Sequence, residues 1–275
     1  MTELSTRERG MVGGPRMTSI TAQADAWDLE PQSDRKIYLL WLAIFWIGSL
    51  AGFASDIPSF LAQRPAASIV IHLHALVFTA WMFILTAQIV LVNRDRVDLH
   101  MKLGRLAVGW IGVMVIMGVV AGLTYAAQLA PSSKHPGSLL AVNLVDLGGL
   151  VILTGAALAY RSRPALHKRL MLLANISLAD PGFSRLLYNV RVALGDLNAD
   201  AHDTFGRFVE YFYGNVMLIV AMATWDLVRR GRLHPVFVVG AAGLLGAEYA
   251  ASFLYGDPAW SAAMRPVIAL WPIHS

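Results

Sequence analysis

Long apolar runs separated by short polar segments are the main pattern of this chain. Seven runs approach or exceed the roughly 20 residues that an α-helix needs to cross the hydrocarbon core of a bilayer. The pattern therefore predicts seven transmembrane helices, and the polar positions inside the runs are expected to face the protein interior. The runs cover residues 37–55, 69–92, 103–127, 139–160, 166–190, 208–228 and 235–254.

Two of the polar connections are copies of each other. Segments 94–107 and 161–174 superimpose without a gap, and Arg, Arg, Leu, His, Leu, Leu and Ala coincide. Each copy joins two apolar runs, so the predicted unit of duplication is a helical hairpin. We therefore predict an all-α polytopic membrane protein with about seven transmembrane helices, in which repeat hairpins at 69–127 and 139–190 form a four-helix core.

Composition agrees with a membrane environment and narrows the possible sites. Hydrophobic residues make up 56% of the chain and charged residues 15%, so the lipid bilayer is the expected surrounding. The isoelectric point near 9.5 comes from basic residues concentrated in short loops, and we predict no nucleic-acid partner. The chain has no cysteine, which excludes disulfides, thiolate metal sites and covalently attached haem.

The distribution of Lys and Arg predicts the orientation in the membrane. The connections at 94–105, 161–169 and 229–232 are strongly basic and alternate with less basic ones. By the positive-inside rule, the amino terminus is cytoplasmic and the carboxyl terminus lies outside a bacterial inner membrane. The predicted parts are a disordered cytoplasmic tail at 1–36, a transmembrane domain at 37–255 and an outer-side tail at 256–275.

Three histidines are candidate cofactor or metal ligands. His74, Trp81 and Gln88 recur every seven residues and so share one face of the second run. His100 and His167 are equivalent in the two repeats, and a pseudo-twofold axis would place them opposite each other, as two ligands of a b-type haem. The alternative is that both histidines, flanked by Lys and Arg, anchor the hairpins at the lipid headgroups.

Several polar side chains lie within the apolar runs, where burial in lipid costs a carboxylate at least about 2.5 kcal/mol. One interpretation is a polar cavity or proton path, to which Trp81 and Gln88 would also contribute. The other is a set of interhelical hydrogen bonds with one ion pair, between Arg185 and either Asp146 or Asp180. The residues are Asn143, Asp146, Asp180, Arg185, Glu210 and Glu248.

The blocks from His74 to Gly104 and from Asn143 to Met171 resemble a group of uncharacterised bacterial multipass membrane proteins. The block His-Lys-Arg-Leu-Met-Leu-Leu-Ala, which starts at His167, is also similar to a small membrane protein family implicated in cytochrome oxidase assembly. The resemblance implies a link to respiratory haem proteins, which would then be its membrane partners.

Three functional hypotheses follow from these patterns. The first is a b-type haem-binding or respiratory-assembly protein that uses His100 and His167, or His74. The second is a small-molecule or proton-coupled transporter that uses the buried polar residues. The third is a structural membrane subunit without chemistry. The chain has no Gly-rich phosphate loop, His-Glu-x-x-His or Gly-x-Ser-x-Gly motif, so no enzyme activity is assigned.

Overall fold

A computed structural model describes residues 35–64, 66–133, 135–196 and 203–271. These residues form helices joined by short connections, with no strand among them. The predicted tail at 1–36 lies almost entirely outside the described residues. The helices are α1 Arg35–Ala62, α2 Ile69–Asn93, α3 Val97–Leu129, α4 Ser138–Ala159, α5 Pro164–Ile176, α6 Asp180–Ala193, α7 Thr204–Arg230, α8 Pro235–Tyr255 and α9 Pro258–Ala269.

Six of these helices, α1 to α4, α7 and α8, are long and apolar enough to cross a membrane. Their outer surfaces carry large apolar side chains with high exposure, such as Leu106 at 73%, Ile152 at 71% and Val239 at 75%. In water such a surface would be unfavourable, whereas in lipid it is the expected one. The protein therefore has the architecture of a polytopic helical membrane protein.

The fifth apolar run departs from the predicted pattern. The sequence predicts one helix at 166–190 with a kink at Pro181, but the structure ends α5 at Ile176 and begins α6 at Asp180. Proline has no N–H, and its ring clashes with the carbonyl four residues earlier, which belongs to Ser177. Pro181 instead occupies the first turn of α6, where proline is well tolerated. The prediction of a continuous helix at 166–190 is therefore wrong.

The packing of the helices extends beyond the two predicted hairpins. Helix α2 packs on α3, α3 on α4, and α4 on α5, but α6 packs on α1 and α7. The largest buried apolar cluster accordingly includes side chains of α1, α7 and α8, among them Phe45, Leu218 and Phe237. The core is thus shared by more helices than the four that the sequence analysis assigns to it.

Helices α1 and α6 approach each other at glycines. A Cβ atom on Gly52 would overlap the backbone of Gly182, and a Cβ on Gly182 would lie 2.6 Å from Cα of Ser49. A Cβ on Gly48 would meet the ring of Phe183. Small residues permit such backbone contact between membrane helices. The contact holds the first turn of α6 against α1, immediately after the break in the fifth run.

The predicted outer-side tail contains a helix. In α9, Nε1 of Trp260 donates to the carbonyl of Gly137 at 2.9 Å, which fixes the helix to the start of α4. Just after α9, Nε1 of Trp271 donates to Oγ1 of Thr124 on α3 at 3.0 Å. With 12 residues, α9 is too short to span a bilayer, and it lies against the end of the bundle opposite the basic loops.

Candidate functional site: a buried carboxyl cluster at a helix break

Three carboxyl side chains meet at the break between α5 and α6. Asp180 begins α6, Asp146 lies on α4 and Glu248 on α8, and their exposures are 3%, 6% and 0%. The carboxyl groups of Asp146, Asp180 and Glu248 are near enough to interact electrostatically, and the Arg185 guanidinium acts on Asp180 as well. We call Asp146, Asp180, Glu248 and the neighbouring Asn215 the carboxyl cluster.

The cluster has few hydrogen-bond donors. Nδ2 of Asn215 donates to Oε1 of Glu248 at 2.7 Å. Oγ of Ser177 lies 2.8 Å from the backbone carbonyl of Ala174 and 3.2 Å from that of Asp146, so it does not donate to the Asp146 side chain. Among the described residues, four buried oxygens of the cluster have no hydrogen-bond partner: Oδ1 of Asp146, Oδ1 of Asp180, Oδ1 of Asn215 and Oε2 of Glu248.

Unpaired acceptor atoms in a dry interior raise the free energy of the folded protein, so a ligand that donates hydrogen bonds to them is favoured. Carboxylates that lie near each other in an apolar interior repel, so a bound proton or another cation would stabilise the cluster. Among the residues that the structure describes, no three His, Asp or Glu side chains are arranged to hold a metal ion. The chemistry that this arrangement supports is the binding of protons or of a hydrogen-bond-donating cation.

Arg185 does not pair with the carboxyl cluster, so the predicted ion pair with Asp146 or Asp180 is wrong. Its Nε donates to Oδ2 of Asp56 on α1 at 3.0 Å, and its NH1 donates to the carbonyl of Pro181 at 2.6 Å. The Arg185 guanidinium also lies 5.1 Å from the ring centroid of Phe53. The tight contact of α1 with α6 brings Asp56 into reach, and this contact is not visible in the sequence.

A second arginine on the broken segment forms a buried ion pair. Nε and NH2 of Arg169, on α5, donate to the two carboxylate oxygens of Asp226 on α7 at 3.0 and 2.6 Å. The two side chains are 3% and 2% exposed, and Nε of Arg230 lies 3.9 Å from Oδ1 of Asp226. The sequence analysis did not select Asp226, because its proximity to Arg229 and Arg230 resembles an ordinary charged helix end.

The two repeat-related histidines come together, as their equivalence predicts. The rings of His100 and His167 are 6.4 Å apart between centroids and nearly perpendicular, at 87°. Nδ1 of His167 contacts the carbonyl of Ala157 at 2.8 Å. The amide of Gln88 is assigned the orientation in which both its nitrogen and its oxygen form hydrogen bonds. The nitrogen donates to Nδ1 of His100 at 2.6 Å, and the oxygen accepts from the backbone N–H of Gly104 at 2.9 Å.

These contacts test whether the pair fits a metal or haem iron. Imidazoles on opposite sides of one metal, with bonds of about 2 Å, have centroids about 6 Å apart, and the observed spacing agrees. His167 donates its Nδ1 proton to a carbonyl, the arrangement that leaves Nε2 free to ligate. The donation from Gln88 to Nδ1 of His100 instead places the ring proton on Nε2, so His100 fits as a ligand only after the Gln88 amide turns.

The remaining candidates on α2 contact different neighbours. Nε1 of Trp81, 3% exposed, donates to Oδ1 of Asn175 on α5 at 2.9 Å. His74 is half-buried with its ring 4.2 Å from that of Phe78, and its Nδ1 has no hydrogen-bond partner. His74, Trp81 and Gln88 therefore line one side of the helix and contact different neighbours.

Asn143 and Glu210 lie outside the carboxyl cluster. The amide of Asn143 packs over Gly122 on α3, where a Cβ atom would lie 3.0 Å from Nδ2 of Asn143. Asn143 thus contacts α3, whereas Asp146, one turn later, faces Asp180. Glu210 is half-buried on α7, more than a turn before Asn215.

No protein-family model, curated protein or solved structure matches this chain.

Proposed function

We propose that the protein is a proton-coupled membrane carrier whose proton-binding site is the carboxyl cluster. The observation that carries the proposal is the position of Asp180 at a break between two short helices packed within the bundle, with Asp146 and Glu248 nearby. Discontinuous helices whose ends meet at mid-membrane are a recurring way to build cation and proton sites in transporters. Buried carboxyl groups in a bilayer are retained mainly for such uses.

The position of the break supports this function. Helices α5 and α6 contain 13 and 14 residues, so each is about 20 Å long at 1.5 Å per residue. Together they have the length of a seventh membrane span, with the break close to its centre. The α5 carboxyl end directs the negative end of its dipole to the break, and the α6 amino terminus, where Asp180 lies, directs the positive end there, so the break offers partners for a cation and for the Asp180 carboxylate.

The proposed topology follows from the loops. The end of the bundle that carries connections 94–96, 161–163 and 231–234, here called the basic-loop end, is cytoplasmic in a bacterial inner membrane. This places the amino terminus in the cytoplasm and the carboxyl terminus outside. The hairpins α2–α3 and α4–α5–α6 are then duplicated units related by an axis along the membrane normal, as in other transporters with parallel repeats.

The test measures proton uptake by potassium-loaded vesicles that contain the purified protein, with a pH-sensitive dye inside and a potential set by valinomycin. We expect Asp180→Asn to reduce uptake to the level of protein-free vesicles, and Glu248→Gln to do the same. Asp98→Asn is the matched control, because Asp98 is a carboxylate exposed at the basic-loop end, with 57% of its side chain accessible.

A second measurement does not depend on an identified cargo. Dicyclohexylcarbodiimide modifies carboxyl groups in apolar surroundings, and we expect mass spectrometry to find the adduct on Asp146, Asp180 or Glu248. A folded protein that shows neither proton uptake nor this adduct would contradict the carrier function.

Haem binding is the second candidate, favoured by the approach of His100 and His167. These two side chains would hold a b-type haem near the basic-loop end, and the bound iron would supply one-electron redox chemistry. A reduced-minus-oxidised spectrum of the protein expressed with haem tests this directly. Bands that disappear in His100→Ala and His167→Ala, and that strengthen in Gln88→Leu, would support ligation; a featureless spectrum would exclude it.

A further inference from the structure

We infer that the Arg169–Asp226 pair is the closed gate between the basic-loop end and the carboxyl cluster. The inference rests on the proposed carrier function, since a gate has meaning only if the cluster exchanges protons with the two sides. Arg169 lies on α5 and Asp226 on α7, so the pair connects one half of the broken span to a separate helix.

The position of the pair along its helices supports this role. Asp226 follows Asn215 by about three helical turns of the continuous helix α7. Arg169 lies about two turns before the end of α5 at Ile176. Asp226 is therefore displaced from the cluster by about 16 Å along α7, and Arg169 lies in the same direction from the break, towards the basic-loop end. The pair lies where a seal on that side must lie.

Buried side chains fill the layer between the pair and the cluster. They come from all three helices that surround this path, α5, α7 and α8, and each is at most 6% exposed. A bidentate ion pair that is itself nearly inaccessible covers this layer from the basic-loop end. The side chains of the layer are Leu173, Ile176, Leu218, Met222, Phe237, Ala241 and Leu244.

The opposite end of the broken span is closed differently. Arg185 connects α6 to Asp56 on α1, but these side chains are 40% and 30% exposed. The two halves of one span are thus each connected by an arginine to a different helix, with a buried pair on one side and an accessible pair on the other. In this conformation the cluster is sealed from the basic-loop end, and opening there requires α5 to separate from α7.

The absence of cysteine in the chain permits a direct test by thiol labelling. Ser177→Cys introduces a single thiol at the break, at a position with 0% exposure. The protein is placed in vesicles of each orientation and treated with a membrane-impermeant maleimide from one side at a time. With the ion pair intact, we expect little labelling from the basic-loop end.

Asp226→Asn removes the bidentate carboxylate partner of the buried Arg169 guanidinium, which favours separation of α5 and α7. We expect labelling of Ser177→Cys from the basic-loop end to rise at least about tenfold, as a shift of 1.4 kcal/mol in the closed–open equilibrium would produce. The double variant Arg169→Met/Asp226→Leu removes both charges and should restore protection. Asp56→Asn, at the other pair, should leave labelling from the basic-loop end unchanged.

The outcomes separate the gate from the carrier function. Unchanged labelling in a folded Asp226→Asn protein would overturn the gate, even where Asp180→Asn abolishes proton uptake. An equal rise of labelling from both sides would also overturn it, because general loosening has no sidedness. If labelling rises from the basic-loop end only, but no variant or wild-type protein takes up protons, the gate would be supported and the carrier function would be rejected. Should Asp226→Asn fail to fold, Arg169→Lys, which retains the charge and loses the bidentate geometry, replaces it.

Discussion

The first hairpin, α2–α3, and the second, α4–α5–α6, share a loop sequence but differ in their second arm. Helix α3 is continuous over 33 residues, whereas the equivalent stretch of the second hairpin is broken after Ile176. In the alignment of the two copies, Asp180, Pro181 and Gly182 correspond to Val113, Met114 and Val115. These are part of a longer divergence, since the two segments differ at every aligned position from 175 to 190, where the uninterrupted helix of the first hairpin corresponds to the broken one of the second.

The comparison separates what the repeat preserves from what it does not. The shared residues lie in the loop and first turns, where basic side chains and histidines meet the membrane boundary. There the copies also converge in space, as the approach of His100 and His167 shows. Further along the helices the two hairpins differ, and only the second contributes side chains, Asp146 and Asp180, to the carboxyl cluster. The similar loop segments therefore lie in the scaffold, and the candidate site lies where the two hairpins differ in sequence.

The largest effect is expected when Gly182, at the contact between α6 and α1, is replaced by valine, the residue at the aligned position 115 of the first hairpin. Gly182→Val introduces side-chain atoms where even a Cβ would lie 2.6 Å from Cα of Ser49. Because backbone must move to admit them, we expect a loss of about 3 kcal/mol or more in unfolding free energy. Unfolding in mild detergent, followed by tryptophan fluorescence, measures it. Gly148→Ala is the control, since a Cβ there meets nothing within 4 Å, and a change above about 1 kcal/mol would be unexpected.

The next-largest effect is expected at Arg169, compared with Lys102, the basic residue at the aligned position of the first hairpin. Arg169→Met leaves Asp226 buried without its main partner, so we expect a loss of about 3–5 kcal/mol. Lys102, its counterpart in the first copy, is exposed, and Lys102→Met should change the unfolding free energy by less than about 1 kcal/mol. Equal losses in the same unfolding assay would show that the second copy has no special ion pair at this position.

The length and spacing of the apolar runs predict most of the helices. Hydropathy averages over a window and reports the solvent around a helix, so it locates α1 to α4, α7 and α8 well. It does not detect the break at Ser177, because an average over a window carries no information on where a helix is interrupted; α5 and α6 are nevertheless less apolar than most of the long helices and are not among the six candidate spans. The Asp180-Pro181 pair was the available signal. It indicated that the helix is distorted there, but it did not show whether the helix kinks or breaks.

The polar partners were less predictable than the helices. Asp146, Asp180 and Glu248 could be selected because carboxyl groups in apolar runs are rare, yet their convergence depends on how three helices pack. In one of the two interpretations Arg185 pairs with either Asp146 or Asp180, whereas the α1–α6 contact gives it Asp56. Asp226 carried no distinguishing signal next to two arginines. Sequence thus indicates which groups are unusual, and tertiary packing determines which of them meet.

A smaller effect tests how the first hairpin is fixed to the second. Trp81→Phe removes the donor to Oδ1 of Asn175, a side chain that is 1% exposed, and leaves that oxygen unpaired. We expect a loss of about 1–3 kcal/mol. Trp110→Phe is the matched change within the first hairpin, where Nε1 donates to the half-buried carbonyl of Val77 at 3.1 Å, and it should cost less. The reverse order in unfolding experiments would contradict the assigned contact between the hairpins.

The smallest effect is expected at the end of the second hairpin away from the basic loops, where the Arg185–Asp56 pair is partly exposed. Water and salt screen such a pair, so Arg185→Gln should lower the unfolding free energy by less than about 1 kcal/mol. A double-mutant cycle with Asp56→Asn should show a coupling that weakens as salt is added, and a cycle with Asp180→Asn a smaller one. A larger coupling to Asp180 would mean that Arg185 neutralises the carboxyl cluster in the membrane. The cluster would then need no proton to balance its charge, and the contrast between the two hairpins would lose its functional meaning.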